Sequence, residues 1–304
     1  MDKLLWMHCY VRAIESGSFS AVAREMSIGQ PNVSRHIASL EQHLGVRLLH
    51  RSTRKLSPTP EGERFYTEAR RIVDAIAEAE SNARGEETPR GFLRVSCPVS
   101  LGRSHVLPLV KPFLAQYPEI ELELMINDRF VDLIEDGVDL TIRIGNLTDS
   151  SLNARRIGLA ERVCVASADY LKRHPVPRMP HDLQGHDCII YTLRQPGNIW
   201  SFAGLDVTVA GRFRVNSPEG IHSAVLDGLG IGAAPCWIFN EELRSGLVVP
   251  LLTEHPMQAV PIHIVYPAKR LLSRRAAVFM DFVSAAFARL PDLNEGALAH
   301  ALAK

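Results

Sequence analysis

The residues that could do chemistry first catch the eye between positions 30 and 42. Gln30, Asn32, Ser34, Arg35 and Gln42 lie within thirteen positions of each other. Gln, Asn and Arg can hydrogen-bond to base edges, and short Ser and Ala side chains let a helix come close to them. Spacing decides whether they share a face. Val33, Ile37, Leu40 and Leu44 follow at intervals of four, three and four, which puts them on one apolar stripe of a helix. The opposite face then carries Pro31, Arg35, Ala38 and Gln42, flanked by Asn32, Ser34 and Ser39. That face suits a major groove, and Pro31 fits the first turn, where a missing N–H costs nothing.

A helix that reads bases must be held by others. Phe19, Val22, Ala23 and Met26 make a second apolar stripe, and Met26-Ser27-Ile28-Gly29 is short enough for the tight connection of a helix-turn-helix. Residues 3–15 form a further helix beneath, with Leu5, Trp6, Cys9 and Val11 among its apolar positions. Gly45 ends the reading helix. Arg47, His50, Arg51, Arg54 and Lys55 then crowd a short segment bounded by Pro58 and Pro60, the composition of a wing lying along phosphates. Residues 1–60 hold eight basic against four acidic side chains, although the whole chain is neutral. Local charge sets phosphate affinity, so the zero total does not exclude nucleic acid.

Thr59-Pro60-Glu61 opens the next helix, roughly 60–84. Phe65, Ala69, Ile72, Ile76, Ala79 and Ala83 alternate intervals of four and three, a heptad seam. The same seam would serve a helix lying on its own domain, but few neighbouring residues could cover it. We expect Phe65, Ala69, Ile72, Ile76 and Ala79 to pair two protomers.

Several phrases of this region carry a resemblance: Gly17-Ser18-Phe19-Ser20; Gln30-Pro31-x-Val33-Ser34-Arg35; Leu40-Glu41-x-x-Leu44-Gly45-Val46-Arg47-Leu48-Leu49-x-Arg51; Thr53-Arg54; and Thr59-Pro60-x-Gly62. In that order they resemble the winged helix-turn-helix of LysR-type transcriptional regulators. Gly29 departs from the pattern, standing where the family usually has Ser, a better helix cap. The resemblance implies DNA contact by Ser18, Gln30, Pro31, Asn32, Ser34 and Arg35. Arg51, Arg54 and Lys55 are expected on phosphates, so that Lys55→Ala would weaken all sequences alike.

Gly85-Glu86-Glu87-Thr88-Pro89-Arg90-Gly91 reads as a hinge. Beyond it strands alternate with helices: strand 93–97, helix 101–117, strand 120–126, short helix 130–136, strand 138–144, an extended segment 156–166, helix 218–228, strands 230–235 and 247–251, and helix 273–290. That rhythm predicts a mostly parallel sheet with helices on both faces. In open α/β sheets ligands lie beyond the carboxyl ends of the strands. Ser100 with the N–H groups from Leu101 onward, Asn127 and Asn146 fall there, as do Tyr191 and Thr192 after the strand 188–190, and Arg143, alternating with apolar neighbours in its strand, could reach the cleft as a counter-ion. Ser100 could equally be a plain helix cap and Arg143 half of a structural ion pair. Asp128 would repel an anionic ligand unless it faces away.

Ile134-Glu135-Asp136-Gly137-Val138-Asp139-Leu140-x-Ile142-Arg143-Ile144-Gly145, His181-Asp182-Leu183-x-x-His186 and Asp227-Gly228-Leu229-Gly230-Ile231 extend the resemblance to about residue 290. They look like the effector-binding region of the same family, whose fold resembles the periplasmic binding proteins. By family position Asn216 and Ser217 join the pocket.

The expected architecture is multi-domain: a winged helix-turn-helix with a β wing at 1–59, a linker helix at 60–84, a hinge at 85–91, and a two-lobe, periplasmic-binding-protein-like α/β effector domain at 92–290. Lobe I would take about 92–163 and 264–290, lobe II about 164–263, and the tail 291–304 has no docking pattern and is expected to fray. The expected function is a sequence-specific DNA-binding transcriptional regulator controlled by a small-molecule effector. Expected partners are double-stranded promoter DNA, the effector, a second copy of the chain (as a dimer, or a dimer of dimers) and RNA polymerase.

The alternative is an α/β enzyme fused to a DNA-binding head. It needs a carrier for catalysis, and the sequence offers none: no Gly-x-Ser-x-Gly elbow and no phosphate loop ending in Gly-Lys-Ser/Thr. His174, His181 and His186 stand at intervals of seven and five in a Pro-rich stretch, not at helical metal-ligand spacing. No cofactor or metal is expected. Cys9, Cys97, Cys164, Cys188 and Cys236 form no Cys-x-x-Cys pair, and a redox switch through Cys188 and Cys236 is a minor reading. No apolar run approaches the ~18 residues of a membrane span, and the N-terminus has no signal-peptide pattern, so a cytoplasmic location is expected.

Overall fold

A computed structural model describes all residues except 1, 51–55, 85–87, 130–132, 134–135, 148–151, 194–195, 269–271 and 304. Its contacts divide the chain into two units, Met1–Gly91 and Phe92–Lys304.

In the first unit Asp2 caps α1 (Lys3–Ser16), accepting from Leu5 N at 3.1 Å, and Gly17 ends it in the left-handed region at φ 63°. Ser18 caps α2 (Phe19–Glu25), and α3 (Gln30–Leu44) ends at Gly45, also left-handed. Trp6, Cys9, Tyr10, Val22, Val33, Ile37 and Leu40 close the core between them. Leu44, placed on the buried stripe by its spacing, is 37 % exposed, because the last turn of α3 runs past that core.

A two-stranded stem follows. Leu49 bridges Pro58, and His50 N donates to Ser57 O at 2.9 Å. Then α4 (Pro60–Ala83) begins against the stem, and Gly62 is required there: a Cβ at this position would lie 2.1 Å from Leu48 O.

In the second unit β1 (Gly91–Cys97) leads into three end-to-end helical pieces: α5 (Val99–Leu101), a π turn (Gly102–Val106) and α6 (Leu107–Gln116). β2 (Ile120–Ile126), β3 (Leu140–Ile144) and β4 (Leu152–Ala160) complete the first lobe's outgoing chain. The second lobe holds β5 (Arg162–Ser167), α7 (Ala168–Leu171), β6 (Ile190–Tyr191), β7 (Ile199–Phe202), β8 (Leu205–Thr208), β9 (Arg214–Val215), α8 (Pro218–Leu226), β10 (Gly232–Pro235), α9 (Asn240–Ser245) and β11 (Val248–Leu251). The chain returns through β12 (Val260–Pro267), α10 (Arg274–Phe287) and α11 (Ala297–Leu302).

The sheets correct the expectation of a mostly parallel arrangement. The first lobe's five strands run in the order β2-β1-β3-β12-β4, with β1 parallel to β3 but β12 antiparallel to both its neighbours. In the second lobe β5 is antiparallel to β10 and to β11. The reason is connectivity: β4 leaves the first lobe and β12 re-enters it, so the two run in opposite directions side by side. Because β12 pairs with β4 from Val260 onward, the first lobe resumes there and not at 264.

The tail is a second correction. Leu293, Ala297 and Ala301 are fully buried. Glu161 accepts from Gly296 N at 2.7 Å and from Leu298 N at 3.0 Å, capping α11. A six-residue helix is too short for its pattern to register in the sequence; the cap that fixes it comes from a carboxylate 135 positions away.

Candidate nucleic-acid interface and effector cleft

The face of α3 is built by what its other side buries. Val33, Ile37 and Leu40 anchor the helix, leaving Gln30, Pro31, Asn32, Ser34, Arg35, Ala38 and Gln42 exposed. Gly29 provides no side-chain cap. Ser18 accepts from Ala21 N at 3.3 Å, and the Ser20 hydroxyl donates to Gln30 Oε1 at 3.1 Å.

The acidic groups that precede α4 are each engaged. Glu25 is held by Arg12 Nε at 2.7 Å, and Glu15 by Arg12 and by Arg70 at 2.8 Å. Glu41 accepts from Leu48 N at 2.8 Å and Leu49 N at 3.1 Å, with Arg47 at 3.6 Å. Asp2 is spent on its helix cap. So the unit's first four acidic groups are occupied, while Arg35 is exposed and has no hydrogen bond or ion pair among the described residues. Arg51, Arg54 and Lys55 lie outside the described residues.

The seam of α4 divides in two. Phe65 packs into the head core, its ring 5.8 Å from Tyr10, and Ala69 is fully buried. Tyr66 donates to Glu15 at 3.1 Å, and burial, with Glu15 beside it, raises its pKa. These contacts bind the first half of α4 to α1 of the same chain, burying Ala69 and half-burying Phe65 within the head. Ile72 is 43 % exposed, Ala79 is exposed and Ile76 half-buried.

The second unit holds a cleft of about 590 Å³. It collects the carboxyl end of β1, the start of the helical run after it, the residues following β2 and β3, and elements of the second lobe. Of the residues expected there, Ser100, Asn127, Arg143 and Asn146 line it. Leu101 does not: it is fully buried in the first lobe's core, because the helix turns it inward one position after Ser100. Thr192 is exposed and donates to Val215 O at 3.3 Å; its neighbours Tyr191 and Leu193 line the cleft instead, as strand alternation allows. Asn216 is exposed and Ser217 caps α8, accepting from Gly220 N at 3.0 Å, so neither lines the cleft.

Tyr191, expected at the cleft beside Thr192, lines it; Arg129 and Arg162 line it without having been expected there. Arg162 follows the crossover from β4, a place no local pattern marks. Asp128 also lines the cleft: its Oδ1 accepts from Val99 N at 2.9 Å, and burial raises its pKa against the effect of that bond. Burial, Asp128 and Glu219 raise the Tyr191 pKa, which keeps the phenol neutral and a donor. Asn127 Oδ1 is buried and has no hydrogen-bond partner among the described residues. Three guanidiniums, the hydroxyls of Ser96 and Ser100, and apolar walls from Ile144, Ile221 and Val260 line the cleft together.

The five cysteines are buried. Burial pushes Cys9 to about 11 and Cys97, Cys188 and Cys236 to about 12, far from thiolate reactivity. No group of three or more metal-ligating side chains occurs among the described residues. His186 Nδ1 lies 3.1 Å from Tyr170 Oη, and His174 stacks on that ring at 4.1 Å, so the histidine-rich stretch packs a loop. No helix among the described residues is long and apolar enough to cross a membrane.

Comparison with known proteins agrees in both units. A family described as "Bacterial regulatory helix-turn-helix protein, lysR family" matches residues 4–63, and "LysR substrate binding domain" matches residues 86–288. The regulator CrgA of Neisseria meningitidis is 34 % identical over 281 residues, covering 90 % of this chain and 93 % of its own. Its solved structure superposes with a TM-score of 0.60 at 32 % identity, covering 93 % of this chain and 98 % of that one. Full-length AphB of Vibrio cholerae, described as a virulence activator, gives a TM-score of 0.56 at 30 % identity, with 93 % and 98 % covered.

Proposed function

The chain belongs to the LysR family of bacterial transcriptional regulators, and we propose how its own residues carry that role. It is a DNA-binding transcriptional regulator with an effector-binding domain, and the relatives it matches are named as regulators, which sets aside the enzyme alternative. In our reading α3 enters the major groove. Arg35, Gln30, Asn32 and Ser34 meet base edges, Ser18 and Pro31 flank them, and Arg51, Arg54 and Lys55 meet phosphates. Ile72, Ile76 and Ala79 of α4 pair two protomers, which sets two α3 helices on the half-sites of a pseudo-palindrome. RNA polymerase is a further partner, and the site of action is the cytoplasm.

The effector is a small organic anion. Its charge would face Arg129, Arg143 and Arg162, and a hydroxyl or amine on it would donate to Asn127 Oδ1. Binding that differs between open and closed lobes would shift their populations and so alter DNA affinity.

The observation that carries the DNA assignment is the exposed guanidinium of Arg35, without a hydrogen bond or ion pair among the described residues, while Glu25 and Glu41 are engaged elsewhere. The test is titration of DNA upstream of the chain's own gene with wild-type and Arg35→Ala protein. We expect Arg35→Ala to lose about 5- to 150-fold in affinity for the protected site and little for random DNA. Equal losses on both would reassign Arg35 to the phosphates.

A further inference from the structure

Ser20 stands outside the exposed face of α3, yet one contact ties it to that face. Its hydroxyl donates to Gln30 Oε1 at 3.1 Å, from the first turn of α2 to the first residue of α3. Both side chains are exposed, so the contact serves no core. A glutamine amide has an acceptor end and a donor end, and left alone it can present either. Here the oxygen is turned toward the Ser20 hydroxyl, which donates to it. The amide nitrogen, with two N–H donors, is left facing outward.

We infer that Ser20 is a positioning residue that fixes which end of Gln30 reads DNA. The inference rests on the assignment of α3 to the major groove and goes beyond it by naming what is read. Gln30 donates, so the base pair it meets carries an acceptor on that edge: a purine N7, guanine O6 or thymine O4. A pair offering an adenine or cytosine amine at the same point leaves donor against donor. The bidentate reading of adenine, which needs the amide oxygen as acceptor, is disfavoured by the Ser20 contact.

The experiment starts from double-stranded oligonucleotides selected out of a randomised pool by the full-length wild-type protein. Single base-pair substitutions across the selected site are then titrated with wild type, Gln30→Ala, Ser20→Ala and Ser20→Thr. Gln30→Ala identifies the pair that Gln30 reads. At that pair we expect wild type to lose about tenfold on an acceptor-to-donor change. Ser20→Ala should reduce that discrimination to about twofold while other positions keep theirs, and Ser20→Thr should restore it. Binding of random DNA by Ser20→Ala serves as the control for folding. If Ser20→Ala keeps the full discrimination at the Gln30 pair, the inference is overturned while the assignment of α3 stands. An even loss by Ser20→Ala on selected and random DNA also overturns it, making Ser20 a phosphate contact. If wild type selects no sequence at all, the assignment of α3 itself falls.

Discussion

At the scale of single residues, the head is specified as much by what is missing as by what is present. Gly62 must have no side chain, and Gly29 need not be glycine. At Gly29 the backbone is extended, with φ −69° and ψ 142°, and a Cβ would meet nothing nearer than Pro31 Cδ at 3.7 Å. A serine there would cap α3, which now lacks a side-chain cap, and would restrict the unfolded chain. We expect Gly29→Ser to raise stability against urea by about 0.5 kcal/mol. A loss of stability would mean that the first turn of α3 is held by contacts the cap disturbs. In the cleft, Asp128 spends one carboxylate oxygen on Val99 N.

At the scale of elements, α4 and the tail each have two attachments. The first half of α4 is welded to α1 through Phe65, Ala69 and the Glu15–Tyr66–Arg70 cluster, and its second half exposes Ile72. The tail begins in the first lobe, where Leu293 joins the core, and ends in the second, where Ala301 joins another. It therefore couples the two lobes of one unit. Leu293→Ala should cost about 2–5 kcal/mol in urea unfolding of residues 92–304 within the full chain. A loss below ~1 kcal/mol would show that the tail is only loosely held.

At the scale of the whole molecule, acid should weaken the second unit. Burial lowers the pKa of His105, against the opposing pull of Asp292, and burial also lowers His186 and His263. Below the ordinary histidine value of 6.5 the unfolded chain takes up protons that these folded imidazoles refuse, so unfolding is favoured. The stability is complete above 6.5 and falls as pH drops below it, until the folded imidazoles protonate too. Thermal melts across that range should show the loss, and His105→Gln should shrink it. Assembly belongs to the same scale. If the second half of α4 pairs two copies, Ile72→Asp should shift sedimentation toward the monomer. An unchanged sedimentation profile would place the protomer contact elsewhere.

Much of this was legible in the sequence because it is local. The heights of Val33, Ile37 and Leu40 on one helix, the Gly45 terminator and the Ser-capped starts of α2 and α8 depend on neighbours within a turn. So do Ser100, Asn127 and Asn146, which follow strand ends, and Arg143, which alternates with apolar neighbours in β3. Local periodicity gives a face but not its partner. That is why the seam of α4 pointed to a second copy when half of it lies on α1. Strand direction, the return of β12 at Val260 and the docking of α11 depend on residues far apart in the chain. The placing of Arg162 in the cleft does too. Those were decided only by the tertiary fold, which crosses between lobes to bring Glu161 to the tail and sets β2 beside β1 to bring Asp128 to Val99. The sequence by itself determined the kind of protein and the reading helix, since short-range spacing encodes both. The tertiary structure alone decided which polar groups are spent on the fold and which are left for a ligand, because that depends on every neighbour each group meets.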